Sequence, residues 1–186
     1  MALSAVLAAR APQPDVLVAN DAMAVAVRGP GDKLAIMRQG GDAFTVQHWL
    51  SADGDARPPA DPALREGFTC DAAGCIARLA DGKIVSYVLS PEAFEEDCGR
   101  AALLVTAREA PPRCAATIVD RKLTRSVGAL SFVRDGERWD MTTARPPSQD
   151  RPWARARAAP AETAQPATRP QPRDATPRME DLEPGD

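Results

Sequence analysis

Histidine is almost absent from this chain, because His48 is the only one among 186 residues. Metal sites built on clustered imidazoles, such as those of two-metal hydrolases, are therefore excluded within this chain. Aromatic residues make up only 4%, and the net charge of −3 excludes the global basic field that gathers phosphates in many nucleic-acid binders. Apolar runs stay well below the roughly 18 residues that span a bilayer. The composition indicates one folded domain plus a flexible part.

Proline is abundant, and half of it lies at the C-terminal end. Nine of the 18 prolines fall within residues 146–186, where Trp153 is the only aromatic residue. Each proline removes a backbone N–H donor and fixes φ, and the segment has too little apolar surface to offset the entropy of ordering. We therefore predict that residues 146–186 form a disordered tail rich in proline, arginine and alanine. A docking tail or semi-rigid spacer is the functional alternative.

The N-terminal stretch is apolar but short. It contains Met1 to Ala9, is preceded by no basic residue, and is followed by Pro12 and Pro14. A signal peptide would carry a positive region before the apolar part, and a spanning helix would be twice as long. We interpret residues 1–13 as the end of a hydrophobic helix or a linker, with a frayed short helix as the alternative.

Between Pro14 and Pro146, short β-rich runs separated by glycine turns dominate the pattern. Turns such as Gly29-Pro30-Gly31-Asp32 indicate hairpins, because glycine tolerates positive φ. The pattern predicts a mixed α/β, β-rich domain over residues 14–145, and not a doubly wound parallel fold. Strands are predicted over residues 15–19, 23–28, 33–37, 68–70, 75–79, 83–89, 101–107, 115–119, 129–134 and 138–143.

Few and short helices are expected in this domain. Residues 43–52 predict the first, capped by Asp42, and its apolar residues at near-helical spacing are Phe44, Val46, Trp49 and Leu50. A second begins with Ser90 as cap and Pro91 at the first position and runs to about Cys98. A single helical turn is expected near residues 121–125.

The four cysteines lie inside the predicted domain, at Cys70, Cys75, Cys98 and Cys114. Their spacing is wider than that of zinc ribbons, and the chain has no C-x-x-C redox motif. Four cysteines allow three pairings, and local separation favours Cys70–Cys75 with Cys98–Cys114. Two structural disulfides indicate an oxidising compartment, here the periplasm. The alternative is four unrelated buried thiols in a cytosolic protein.

Candidate catalytic groups do not combine into a known constellation. His48 has no serine or cysteine partner in a recognisable local signature. We therefore expect an ordinary surface or core histidine with its hydrogen bonds made, and not a catalytic base. The acidic residues 95–97 lack further ligands at suitable spacing and are expected on a solvated face. The turn at residues 29–31 lacks the lysine and hydroxyl of a phosphate loop. We predict no catalytic, metal-binding or cofactor-binding residues, no cofactor and no small-molecule substrate.

Several stretches together carry a family resemblance over about residues 10–157. The most specific are the four cysteines, the strand AALLVTAR with DC before it and C after it, and the DRPW near residue 150. In these features the chain resembles the C-terminal region of ComEC-type competence proteins of alphaproteobacteria. Those are polytopic inner-membrane proteins that form the channel for DNA internalisation.

The resemblance implies a degenerate and shortened metallo-β-lactamase-like domain. PDVLVANDAMAVAVRGPGDKLAIMRQGGD is similar to the opening of such domains, but residues 38–40 (RQG) stand where an acidic ligand would be expected. The run His-x-His-x-Asp-His is missing, and only about 130 residues are available. The resemblance therefore implies the DNA-uptake context without the nuclease activity proposed for intact relatives.

Two classes of function follow, with a third behind them. The first is a non-catalytic accessory domain, a detached or truncated portion of a ComEC-type channel, on the periplasmic side of the inner membrane. Its expected partner is the membrane channel portion, with single-stranded DNA as a weaker candidate. The second is a free-standing periplasmic binding or interaction module with no role in DNA transport. The third is an enzyme whose site the sequence does not reveal.

Overall fold

A computed structural model describes residues 13–38 and 43–146, which form two five-stranded sheets packed face to face. One sheet, here called sheet A, combines the first three strands of the chain with the last two. The other, sheet B, is built from the continuous segment between them. The predictions for residues 1–12, for the Asp42 cap and for residues 147–186 lie outside the described residues.

Sheet A is entirely antiparallel, in the order β10-β9-β1-β2-β3. Its central strand β1 pairs with β2 on one side and with β9 on the other, so that Val16 lies opposite both Val27 and Phe132. The strands are β1 (Val16–Val18), β2 (Ala24–Arg28), β3 (Leu34–Arg38), β9 (Leu130–Asp135) and β10 (Arg138–Thr143).

Sheet B is mixed, in the order β4-β5-β6-β7-β8. The first three strands are antiparallel neighbours, whereas β7 lies parallel to both β6 and β8. The parallel step from β6 to β7 requires a crossover, and a helix supplies it. The strands are β4 (Phe68–Cys70), β5 (Gly74–Arg78), β6 (Ile84–Val88), β7 (Leu103–Thr106) and β8 (Thr117–Val119).

Helices cover the outer faces of both sheets, which gives four layers. Helix α1 (Ala43–Asp53) packs Val46 and Leu50 on sheet A, and helix α2 (Ala93–Arg100) covers sheet B. Helix α3 (Arg121–Val127) packs against the cluster between the sheets. Alternation along each strand divides the core: in β2, Val25 and Val27 face the other sheet and Ala26 faces α1.

The mixed α/β, strand-rich class is confirmed, and each predicted strand overlaps an observed one. Strand β7 is buried along its whole length, as its continuous apolar run predicts, because it is covered by sheet A on one side and α2 on the other. The strands form two sheets, a division that the pattern of apolar runs and turns does not predict. No helix in the described ranges is long and apolar enough to cross a membrane.

Three local details differ from what the sequence pattern suggests. Helix α2 begins at Ala93, because Ser90 and Pro91 form a turn through their carbonyl oxygens and Ser90 does not act as the cap. In the turn of the β2–β3 hairpin the positive φ of 55° belongs to Asp32, a residue type that tolerates this region, and not to a glycine. Phe44 is 82% exposed and does not join the buried face of α1.

Candidate functional site

One disulfide ties the end of α2 to the segment that precedes β8. Cys98 and Cys114 are joined with their Cα atoms 4.7 Å apart, and Cys98 is buried. The backbone N–H groups of Ala115 and Ala116 both donate to the Cys98 carbonyl at 3.2 Å. Covalent and hydrogen bonds together therefore hold the crossover helix against the edge of sheet B, in the pairing that local separation favours.

The second disulfide crosses a hairpin. Cys70 and Cys75 lie opposite each other in the β4–β5 pair, with their Cα atoms 4.0 Å apart. The Asp71 carboxylate accepts the N–H groups of Ala73 and Gly74, both at 2.8 Å. These bonds, chiefly that from Gly74, hold the pKa of Asp71 below its usual range. Gly74 is required here because a Cβ atom would lie 2.9 Å from the Tyr87 carbonyl oxygen.

Asp97 is the buried acid of this region, with 4% of its surface exposed. Its carboxylate accepts a hydrogen bond from the Ser86 hydroxyl on β6 and one from Arg100 Nε at 2.9 Å. The expectation that residues 95–97 share a solvated face is therefore wrong for Asp97, although Glu95 and Glu96 are exposed. Asp97 lies on the buried face of α2, so its carboxylate faces sheet B. It fastens α2 to β6.

A cavity of about 220 Å³ lies where the hairpin meets α2. Asp71 contributes to its lining from the hairpin, and Glu96, Asp97 and Arg100 contribute from the helix. Arg100 forms ion pairs with both Glu96 and Asp97. Because Arg100 pairs with both of these acids, the arrangement acts as a structural junction between the two disulfide-bonded elements.

The remaining candidate groups lie apart from this junction. His48 is exposed on α1, which covers sheet A, whereas the acidic residues 95–97 belong to the helix on sheet B. Gly29 closes the β2–β3 hairpin by donating its N–H to the Lys33 carbonyl at 3.1 Å. Within residues 13–38 and 43–146, no group of three or more His, Cys, Asp or Glu side chains is placed to hold a metal ion.

A groove that the sequence did not reveal lies between α1 and the far end of sheet A. It encloses about 490 Å³, and its lining includes Trp49 from α1 and Arg145 from the segment after β10. The helical spacing of Thr45 and Trp49 indicates one face of α1, but nothing in the sequence connects that face with Arg145. Only the packing of the sheet brings these distant residues together.

Comparisons of the chain with protein-family models, curated proteins and solved structures return no match. The four cysteines and the strand AALLVTAR, quoted for the family resemblance, lie in one part of the structure, whereas DRPW lies outside the described residues. The apolar run 101–107 contains β7. Asp97 and Cys98 lie in the last turn of α2, the helix before it, and Cys114 forms the disulfide with Cys98. The quoted stretch is therefore one structural unit of sheet B.

Proposed function

We propose that this chain is a non-catalytic accessory domain of a ComEC-type inner-membrane DNA-uptake protein, facing the periplasm. The observation that carries the proposal is the disulfide-linked unit of sheet B, because it contains the four cysteines and the AALLVTAR strand quoted for the resemblance. A disulfide between α2 and the residues before β8 suits an oxidising compartment. The alternative of a free-standing periplasmic module predicts the same disulfides but no dependence of DNA uptake on this domain.

A degenerate and shortened metallo-β-lactamase-like domain is part of the same proposal. Its scaffold is the pair of sheets packed face to face, with α1 and α2 on the outer sides. The opening of the chain supplies β1, β2 and β3, whose hairpin turn corresponds to the glycine-rich turn of the resemblance. In the proposed role this scaffold serves as a contact surface beside the channel.

The non-catalytic part of the proposal depends on the sequence, which offers His48 alone for any chemistry that needs imidazole ligands. Purified full-length protein is expected to contain no stoichiometric zinc or manganese in elemental analysis, and to leave DNA intact when either metal is added. Stoichiometric metal together with DNA cleavage would show that the domain is a hydrolase.

A deletion in the genome tests the proposed role. Removal of the codons for residues 14–145 from a transformable strain that carries this gene is expected to reduce transformation by chromosomal DNA to the level of a strain without the channel. Conjugation, which bypasses the uptake channel, serves as the control for recombination and viability. An unchanged transformation frequency would reject the proposal in favour of the free-standing module.

Loss of the channel protein itself could imitate loss of domain function. The abundance of the channel portion is therefore measured by immunoblot in the same strains. The double variant Cys98→Ser/Cys114→Ser removes one disulfide and leaves the chain length unchanged. With channel abundance preserved, this variant is expected to lower transformation, and normal transformation with an unfolded domain would count against the accessory role.

A further inference from the structure

Five cationic residues lie on three segments that meet at α3, and they are here called the basic ridge: Arg108, Arg121, Lys122, Arg125 and Arg145. The Arg121 N–H donates to the Arg108 carbonyl at 3.0 Å, which joins the loop after β7 to the start of α3. Arg121 and Arg125 are one helical turn apart, and Arg145 Nη2 lies 3.3 Å from the Arg125 carbonyl. The ridge therefore continues from loop to helix to the segment after β10.

The charges of the ridge are not compensated by carboxylates. Within the described part of the chain, none of its members forms an ion pair, whereas Arg28, Arg57 and Arg134 each contact an acid. The guanidinium groups of Arg108 and Arg145 touch carbonyl oxygens, which orient them and leave their charge in place.

Two acids, Asp120 and Glu109, lie close to the ridge in the sequence, and the Asp120 carboxylate already accepts backbone hydrogen bonds. The Asp120 carboxylate caps α3 by accepting the N–H of Leu123 at 2.9 Å, and it also accepts the N–H of Ala110. Glu109 is exposed. Within these three segments, five cations stand against two acids, on a chain whose net charge is −3. A local excess of this kind attracts polyanions without a global basic field.

An aromatic side chain adjoins the ridge. Trp49 is packed against the cluster on the outer face of sheet A, and it also lines the groove of about 490 Å³ that Arg145 shares. A tryptophan held by the core offers a ring to a ligand with little loss of rotamer freedom on binding. Arg145 connects the two features, because it belongs both to the groove and to the ridge.

We propose that the Trp49 groove and the basic ridge together bind single-stranded DNA. A stacking platform for an unpaired base beside a row of cations for the backbone is the combination that single-strand binding proteins use. The cations alone would suit any polyanion, and the aromatic groove selects a strand whose bases are free. The choice of DNA as the natural ligand rests on the proposed function. The binding surface does not, because it is defined by its own residues.

Binding is measured with the full-length protein and a labelled oligothymidylate of about 12 nucleotides, by fluorescence anisotropy at about 50 mM salt. The double variant Arg121→Ser/Arg125→Ser is expected to weaken binding about tenfold and to reduce the slope of log K against log salt by about 1.4. The matched control is Arg78→Ser/Arg138→Ser, which removes the same charge from two hairpins elsewhere on the surface. We expect the control to change affinity less than about twofold.

The groove is tested by Trp49→Leu, which keeps an apolar side chain against the core. This variant is expected to weaken oligothymidylate binding about tenfold while leaving heparin binding unchanged, because heparin has no bases to stack. Thermal melting identifies a variant that fails to fold, and Trp49→Phe then replaces it, with partial retention of affinity expected. Duplex DNA of equal length should bind more weakly than the single strand.

Three results would overturn this assignment. They are no binding by the wild-type protein at low salt, an equal loss of affinity in the control pair, and equal binding of duplex and single strand with no effect of Trp49→Leu. Its failure can be told apart from failure of the proposed function. Transformation that depends on the domain without oligonucleotide binding would reject only the binding surface. Ridge-dependent binding with transformation unaffected by the deletion would reject only the channel role.

Discussion

The hydroxyl group of Tyr87 is buried between the two sheets, and it has no hydrogen-bond partner among residues 13–38 and 43–146. Burial, with a smaller contribution from the charge of Asp21, raises the pKa of this phenol. The group therefore stays neutral, and the fold carries the cost of removing it from water. A polar atom in this situation costs about 1–3 kcal/mol.

We expect Tyr87→Phe to leave the stability unchanged or to raise the free energy of unfolding by about 1 kcal/mol, because it removes only the unpaired hydroxyl. Urea denaturation followed by circular dichroism measures the difference. A clear loss of stability would mean that the hydroxyl has a partner, such as a buried water molecule.

Two apolar residues on α1 have opposite environments and make a matched pair. Leu50 is fully buried and Phe44 is 82% exposed. Leu50→Ala is expected to lower the free energy of unfolding by about 2–5 kcal/mol, because it leaves a cavity under the helix. Phe44→Ala should change it by less than about 0.5 kcal/mol. Comparable losses for both in the same denaturation experiment would mean that Phe44 is covered in solution.

At the scale of elements, Arg57 connects the loop after α1 to sheet A. Arg57 Nη2 donates to the Leu34 carbonyl on β3 at 2.7 Å, and its guanidinium also pairs with the Asp55 carboxylate. The hydrogen bond from Arg57 is the main reason that the pKa of Asp55 lies below its usual range. The same pair raises the pKa of Arg57, so both groups are charged at neutral pH.

The lowered pKa of Asp55 gives its contribution a definite dependence on pH. The stabilisation is present above the ordinary carboxyl pKa of about 3.9 and is lost as the pH falls through the lower folded value. We expect Asp55→Asn to cost about 1–2 kcal/mol at pH 7 and progressively less as the pH falls below about 4. The difference in stability is measured from the denaturation midpoints of the wild type and the Asp55→Asn variant at several pH values from about 7 down to below about 4. A constant difference would assign the cost to shape and not to charge.

The disulfide between α2 and the residues before β8 closes a loop with a sequence separation of 16. In the chain-entropy model this constraint is worth about 3 kcal/mol. Cys114→Ala should therefore lower stability by that order under oxidising conditions and change little in reductant. Denaturation with and without dithiothreitol provides both arms. A variant as stable as the wild type in both would show that the two cysteines are not bonded in solution.

The elements that could be predicted from the sequence are those whose signal is local. Strand β7 is a continuous apolar run between polar residues, and the turn at Gly82 uses a positive φ of 82°. The start of α2 was misplaced because Ser90 resembles a cap in sequence but forms a turn in space. The burial of Asp97 and the Trp49–Arg145 groove depend on which strands become neighbours, and no local pattern carries that information.

At the scale of the whole molecule, the two sheets differ in how the chain enters them. Sheet B uses one uninterrupted segment, from Phe68 to Val119, and this segment contains all four disulfide-bonded cysteines. Sheet A is completed only when β9 pairs with β1. The Arg134 N–H then donates to the Asp15 carboxylate, and these two residues are 119 positions apart in the sequence. The interior between the sheets is the largest core cluster and requires both halves.

Because sheet A needs both ends of the domain and sheet B does not, the two sheets are expected to assemble in a definite order. Because the chain is made from its N-terminus, all of sheet B emerges before Leu130 does, so its strands and both cysteine pairs can assemble first. Until β9 arrives, β1 presents an open edge with Val16 and Val18 on it, and such an edge is a template for pairing with other chains. Closure of sheet A across this long separation is expected to be the slow, final step of folding. A chain that ends before Leu130 would keep that edge open for good.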